Sequence, residues 1–371
     1  MKKIEIFYGS TATFLKSVPK SYKNLTSLAL EWDADAKKQE IVVRRQDEEP
    51  VRTPRKKKKI PCIVVEATEY CAVQEHVISN FLNFIQQFSI QSFFIQNPPQ
   101  KIADQLTGYY GNSVVSVIRE SYGGVTETTL KEISKQFDKK IVGQQSVKME
   151  LLQALYPSIQ DRRNDKPITI LFYGKSGVGK TETANFLASI LGGNLFRKQF
   201  SMFQSNEFAT YLFGGKYSEK SFAQDLMGRA SNVILLDEFD KANPVFHSAF
   251  YQLFDEGVYE DTNFHAELKD SIIICTSNYQ DENEIKQKLG EPIFNRFDKI
   301  IRFDDLDIKS KETILLKAIE AEQIHFPKVH LSKEVRMNLL SALSRVNNAR
   351  EIQYLVRDTF SLVGLKEILG S

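Results

Sequence analysis

Short apolar runs alternate along most of the chain with stretches whose apolar residues recur at helical spacing. In the first third, residues 4–8, 28–32, 41–44 and 63–66 read as strands. After Cys71, Val77, Phe81, Phe84, Ile85 and Phe88 recur at helical spacing, which predicts an amphipathic helix packed on a core. Residues 93–95 read as a short strand ended by Pro98 and Pro99, and 102–120 as a further helix weakened by Gly108 and Gly111. Gly123 and Gly124 mark a linker, with a helix to follow, capped by Thr128. From residue 138 the runs 168–173, 233–236 and 272–276 alternate with helical stretches at 181–191 and 244–254. That order predicts a parallel sheet with helices on both faces. Beyond 306 only helical patterns remain, at 310–321, 332–343 and 349–363. The expected organisation is a small α/β domain over 1–121, a linker and helix over 122–137, a large α/β domain over 138–305 and a small all-α lid over 306–371.

Composition narrows this picture only a little. Lys plus Arg is 49 and Asp plus Glu is 47, a net +2 that is too small to argue by itself for nucleic acid or a membrane surface. One charge run stands out, Arg55 to Lys59, between two strand candidates. It reads as part of a solvated mobile loop or as an anion or nucleic-acid patch, and it lacks the interleaved aromatics that stack on bases. Three cysteines, Cys62, Cys71 and Cys275, form no CxxC pair, which fits a reducing compartment. The first ten residues read as a strand rather than a signal peptide, and the longest uncharged stretch, 76–100, is broken by amides. A cytoplasmic location without membrane contact is expected.

The chemistry concentrates in Gly174-Lys175-Ser176-Gly177-Val178-Gly179-Lys180-Thr181, a complete GxxxxGK[ST] pattern between a strand and a helix. Glycines let the backbone curl so that successive N–H groups face one anion, and the helix N-terminus adds positive partial charge. Lys180 is placed to reach the β- and γ-phosphates of ATP, and the Thr181 hydroxyl to ligate Mg2+. The second half is Val233-Ile234-Leu235-Leu236-Asp237-Glu238, a buried strand with two acids at its end, where open parallel sheets bind ligands. Asp237 reads as part of the Mg2+ shell and Glu238 as the base that activates water. The fold class is therefore α/β, a P-loop NTPase sheet with a helical lid and a separate N-terminal α/β domain.

With these motifs in order, the stretch 138–360 resembles an AAA+ module of the Clp/Hsp100 unfoldase type. Ile141-Val142-Gly143-Gln144 is similar to the adenine-side segment of that family, and Thr181-Glu182-Thr183-Ala184 to its continuation of the phosphate loop. Residues 234–242 resemble its extended second motif, 272–278 the strand ending in sensor 1, 294–298 the arginine-finger segment and 348–351 the sensor 2 box. The resemblance implies that Ile141 and Val142 pack on the base and that Glu182 belongs to the nucleotide site. It further implies that Asn278 contacts the attacking water or γ-phosphate and that Arg350 senses the γ-phosphate from the lid. Arg296 would reach a neighbouring subunit's site, which requires a homo-oligomer, a hexameric ring in the family. The region that would carry a gripping pore loop departs from the family pattern. After Leu212-Phe213-Gly214-Gly215 the expected loop is shortened, and Tyr217 is either a residue projecting into a pore or an ordinary packed tyrosine.

Three functions follow. The first is a ring-forming ATPase that remodels a protein partner selected by the N-terminal domain. The second is an ATP-gated assembly switch or scaffold, for example for an effector in bacterial defence, that threads no polypeptide. The third is a nucleic-acid-directed ATPase, supported only by Arg55–Lys59. All three need the phosphate loop, so Lys180→Ala is expected to weaken ATP binding by at least about tenfold, roughly one charge-assisted contact. Titration calorimetry with non-hydrolysable ATP reads this directly.

Overall fold

In a computed structural model the described residues are 1–40, 57–160, 166–202 and 207–369. The strand expected at 41–44 lies outside them, as do Arg55 and Arg44 and the acidic cluster between them. Contacts divide the chain into two compact units. The first contains residues 1–122 together with the stretches 205–230 and 258–268, which the linear reading places in the large α/β domain. The second contains the remainder, 123–204, 231–257 and 269–371.

The first unit is built on a parallel sheet. Its elements are β1 (Lys3–Tyr8), α1 (Thr11–Ser17), β2 (Lys23–Asn24), α2 (Leu25–Glu40), β3 (Lys58–Val65), α3 (Glu75–Ser79), α4 (Phe81–Ile85), β4 (Phe88–Gln96), α5 (Gln100–Tyr110) and β5 (Val115–Arg119). The strand order is β2-β3-β4-β1-β5, and every pair is parallel. Alternate residues serve opposite faces. Ile4, Ile6, Ile63, Val65, Phe93 and Ile95 join one core with Leu28, Phe81 and Leu106, while Phe7, Val64 and Phe94 pack on Phe14 across the sheet.

Three sequence expectations change here. Residues 28–32 are helical, inside α2, because Leu25, Leu28 and Trp32 meet the core at intervals of three and four rather than two. The helix expected after Cys71 breaks at Asn80 into two short helices, and Phe88 starts β4 instead of continuing the helical face. The stretch 102–120 is a helix only to Tyr110. Gly111, at φ 70°, turns the chain, and Val115–Arg119 returns as a strand beside β1. The basic run also proves to be partly strand, since Lys58 and Lys59 open β3 and Lys58 bonds Glu31.

The second unit contains α6 (Glu127–Lys140), α7 (Gln145–Leu155), β6 (Ile168–Tyr173), α8 (Lys180–Ile190), β7 (Phe196–Gln199), β8 (Val233–Asp237), α9 (Tyr251–Glu256), β9 (Ile272–Thr276), α10 (Glu282–Leu289), α11 (Glu291–Phe294) and β10 (Lys299–Arg302). Its sheet runs β10-β6-β9-β8-β7, all parallel. The three central strands are buried at every position, which is why their sequences are continuous apolar runs. A lid of α12 (Ile308–His325), α13 (Lys333–Ala342) and α14 (Ala349–Leu369) closes on its own core of Leu315, Ile319, Leu339, Leu343, Ile352, Val356 and Phe360. The helix after the linker is capped by Thr126, two residues before the expected Thr128. No helix among the described residues is long and apolar enough to cross a membrane.

Gly123 lies against the end of α8, where an added Cβ would sit 2.5 Å from the Leu191 carbonyl oxygen. Gly123→Ala is expected to cost about 1–3 kcal/mol, because backbone rather than a flexible side chain must give way. A lowered urea midpoint for the second unit, with the first unit's transition unchanged, is the expected result.

Candidate nucleotide site

The phosphate loop leaves the C-terminal end of β6 and enters α8. Gly174, Gly177 and Gly179 have φ of 127°, 76° and 112°, a region that side-chain-bearing residues rarely adopt. Close approach reinforces the requirement at two of them. A Cβ on Gly174 would lie 2.4 Å from the Phe303 carbonyl oxygen, and one on Gly177 would meet the Asn348 side chain at 2.9 Å. Lys180 is buried, and its Nζ donates to the carbonyls of Gly174 (2.5 Å) and Lys175 (2.8 Å) and to Asn278 Oδ1 (3.2 Å). Burial pushes the Lys180 ammonium down to about 8, opposed by the negative charges of Asp240, Asp237 and Glu238. Lys180 thus sits desolvated within the field of three acids.

Those acids follow β8. Asp237 is 5% exposed. Its Oδ1 accepts from the Thr276 hydroxyl at 2.5 Å, and its Oδ2 accepts from Arg197 through Nε (2.9 Å) and a terminal N–H (2.5 Å). Glu238 follows in a left-handed conformation, φ 54° and ψ 44°, which for a non-glycine residue stores about 1–3 kcal/mol. Its N–H donates to Thr276 Oγ1 (2.9 Å), and its carboxylate accepts from Gln199 Nε2 (3.2 Å). One threonine hydroxyl therefore serves both acids, accepting from one backbone and donating to the other side chain. Asp240 is nearly buried, with a side chain 3% exposed, and its Oδ1 has no hydrogen-bond partner.

The structure brings Lys180, Asn278, Asp237 and Glu238 together at the ends of β6, β9 and β8. Lys175 pairs with Asp305 at 2.5 Å, while Ser176, Thr181 and Glu182 lie on the solvent-facing rim of the loop and the first turn of α8. Ile141 is buried beside the loop, and Gly179 faces its Cγ2. Val142 is half-buried next to it. The lid meets the loop directly, since the Ala349 N–H donates to the Gly177 carbonyl at 3.1 Å. Arg350, exposed, is the next residue of that helix.

Arg296 and Tyr217 lie elsewhere. Arg296 donates to Asp255 Oδ2 (2.8 Å) and the Pro292 carbonyl (2.7 Å), with its guanidinium 4.1 Å from the centre of the Tyr251 ring. Its own carbonyl accepts from Thr169 Oγ1 at 2.7 Å. Thr169 is near the N-terminal end of β6 and the phosphate loop follows the other end, about 13 Å along the strand at ~3.3 Å per residue. Tyr217 is in the first unit, half-buried and packed on that unit's core.

These residues suit a triphosphate and its metal. The loop has the left-handed glycines that turn amides toward an anion, and Asp240 presents a buried, unpartnered oxygen in the same acidic cluster. Thr181 and Asp237 are hard oxygen donors of the kind magnesium takes. No group of three His, Cys, Asp or Glu forms a cage among the described residues, and magnesium bound to phosphates needs none.

Residues 165–327 match the family described as "AAA domain (Cdc48 subfamily)". With the parallel sheet, the phosphate loop and the two acids in place, this part of the chain is an AAA+ ATPase domain related to the Clp/Hsp100 proteins, and it carries an additional N-terminal domain. Over 240 residues the chain is 31% identical to "ATP-dependent Clp protease ATP-binding subunit ClpL" of Staphylococcus aureus strain bovine RF122 / ET3-1, covering 57% of this chain and 33% of that one. The ClpL of strain USA300 is 30% identical over 236 residues, with shares of 56% and 33%. The solved "S. cerevisiae Hsp104-ADP complex" shares the fold, with a TM-score of 0.55 at 21% identity over 66% of this chain and 49% of that chain. The chain spans about a third of the length of the ClpL relatives it matches.

Sequence reasoning gives no role to four residues around the site, although Gln144 and Thr276 lie inside segments that carry the resemblance. Gln144 bridges the Val178 and Asp304 carbonyls (3.2 and 2.9 Å) and so ties the loop to the strand beside it. Arg197, Gln199 and Thr276 contact the acids. Gln199 and Thr276 end their strands and Arg197 lies in the polar run Arg197-Lys198-Gln199, and only the pairing of Gln199 with Asp237 across β7 and β8 reveals the place of that run. Thr276→Val leaves Asp237 Oδ1 and the Glu238 N–H without their partner at nearly unchanged volume. The expected cost is about 1–3 kcal/mol of stability, with turnover falling further than nucleotide affinity. Denaturant midpoints and steady-state kinetics, measured together, check both.

Proposed function

We propose that this protein is a ring-forming ATPase that uses hydrolysis at subunit interfaces to remodel a protein partner chosen by its N-terminal unit. One observation supports this most directly: Arg296 is held near the opposite end of β6 from the phosphate loop, on Asp255 and Tyr251. In that position it suits a neighbour's γ-phosphate better than its own. Six copies in a closed ring, as the resemblance implies, would give every site such an arginine.

In this reading the amides of Gly174 to Thr181 and the Lys180 ammonium hold the triphosphate, and Ile141 and Val142 pack on the base. Thr181 and Asp237 would hold magnesium, which when bound neutralises charge on the β- and γ-phosphates. Glu238, set by its left-handed backbone and by Gln199, takes a proton from water, and Asn278 beside Lys180 orients that water or the γ-phosphate. Arg350 reports γ-phosphate occupancy to the lid, whose helix already bonds Gly177. The relatives carry the names of a Clp ATP-binding subunit and an Hsp104, which favours a protein as the partner. An ATP-gated switch or scaffold is the second reading, and the packed Tyr217 favours it, because a ring seated on a core does not grip a passing chain.

Glu238→Gln is expected to retain ATP and lose about 10²–10⁴-fold in turnover. Arg296→Ala should lose about 10³-fold or more while binding nucleotide. Mixing the two variants should restore activity, since mixed interfaces then contain an intact Glu238 and an intact Arg296; without restoration, shared sites are ruled out. Stimulation of parent turnover by unfolded casein supports remodelling, whereas ATP-dependent assembly with no stimulation supports the switch.

A further inference from the structure

The two stretches that leave the ATPase domain to join the first unit are fastened to it by specific contacts. Gln100 N–H donates to the Asn263 carbonyl (2.8 Å), and Asn263 Nδ2 donates to Gly215 (2.8 Å). The Cys71 thiol donates to the Tyr217 carbonyl at 3.2 Å, while the Tyr217 ring packs on the sheet's core. Arg119 pairs with Glu267 at 2.7 Å. The Tyr122 hydroxyl donates to the Arg229 carbonyl (2.9 Å), and the Arg229 guanidinium, 8% exposed, lies 4.6 Å from the Tyr122 ring centre. Arg229 also reaches the Leu226 and Glu267 carbonyls, so it ties both stretches together. Tyr259, on the hairpin strand Val258–Glu260, bonds the Leu212 carbonyl at 2.8 Å and meets Phe222 edge to face.

The positions of these contacts along the chain matter most. Arg229 lies four residues before Val233, the first residue of the strand that ends in Asp237 and Glu238. Glu267 lies five residues before Ile272, the first residue of the strand that ends in Thr276, two residues before Asn278. The N-terminal sheet therefore holds the two chain segments that feed the catalytic acids and their shared threonine.

We infer that residues 207–230 and 258–267 are a docking surface for the chain's own N-terminal α/β domain, and that this docked contact is coupled to the ATP site through the strands it feeds. Tyr217 is a docking residue in this arrangement. A rigid strand transmits a displacement of its leading end to the residues at its tip, and two-state coupling of this kind typically amounts to 5–150-fold in an equilibrium. Holding the contact closed restrains the strands and slows turnover, and loosening it releases them.

The chain supplies a probe, since Cys71 is exposed while Cys62 and Cys275 are buried. The full-length chain carrying Tyr217→Cys is joined to native Cys71 by oxidant or a short bis-maleimide, with Cys71→Ser added to the same chain as the uncrosslinked control. The oxidised, joined protein should bind ATP yet hydrolyse it at least fivefold more slowly, with recovery on reduction. In a separate chain, Arg119→Ala with Tyr122→Phe should raise turnover. In chains that also carry Glu238→Gln, ATP should change the rate of joining, because coupling is reciprocal. Equal turnover in joined and reduced protein overturns the inference, and so does failure of the two thiols to join. The inference rests on the ATPase assignment, and parent turnover under reducing conditions tests that assignment separately.

Discussion

The site depends on the register of three parallel strands. Cys275 pairs with Leu171 on one side and Leu236 on the other, and Thr276 lies beside Phe172. That alignment puts the Thr276 hydroxyl between Asp237 and the Glu238 amide, and lets the loop after Tyr173 present Lys180 to Asn278. Side chains alternate along a strand, so a slip of one residue would turn Thr276 to the other face and leave both acids without it. Burial on both faces makes such a slip costly. Every residue of these strands is buried, so each shift would expose apolar surface and bury a polar end. The geometry of the site is thus held by the same packing that forms the core.

Around this sheet the nucleotide loop is surrounded by short polar ties from several directions. Gln144 holds it from the segment before α7, Gly177 is bonded by the first turn of the last lid helix, and Lys175 pairs with Asp305. The loop and the lid thus share a direct backbone hydrogen bond. The strained backbone of Glu238 belongs to the same design, since the cost of its left-handed turn is met by bonds from Thr276 and Gln199. Each of the two excursions of the chain into the first unit ends a few residues before one of these strands, the first before Val233 and the second before Ile272.

Much of the second unit is legible in the sequence. Residues 168–173 and 272–276 were placed as strands with the bounds they have, because strands buried on both faces read as unbroken apolar runs. The lid helices were found within a few residues at their starts. The first unit was harder. Leu28 to Trp32 looks like a strand in isolation, and only the packing of Leu25, Leu28 and Trp32 on one side shows the helical period. Val115–Arg119 was hidden in a helical reading because its outer residues face away from the core and dilute the alternation. Nothing local gives Arg197, Gln199 or Thr276 a role, since a polar residue near a strand end has no meaning until its neighbouring strand is known.

From sequence alone came the phosphate loop, the paired acids, the order of motifs and the α/β character of the segment ahead of them. These are local properties: backbone curl, a charged pair at a strand end and apolar periodicity are all written within a few neighbouring residues. The tertiary structure decided which strands lie side by side, that Arg296 rests at the far end of β6, and that residues 207–230 and 258–268 belong with the N-terminal sheet. Those facts depend on contacts between residues far apart in the chain, and no local pattern specifies which distant surface a loop will bury against.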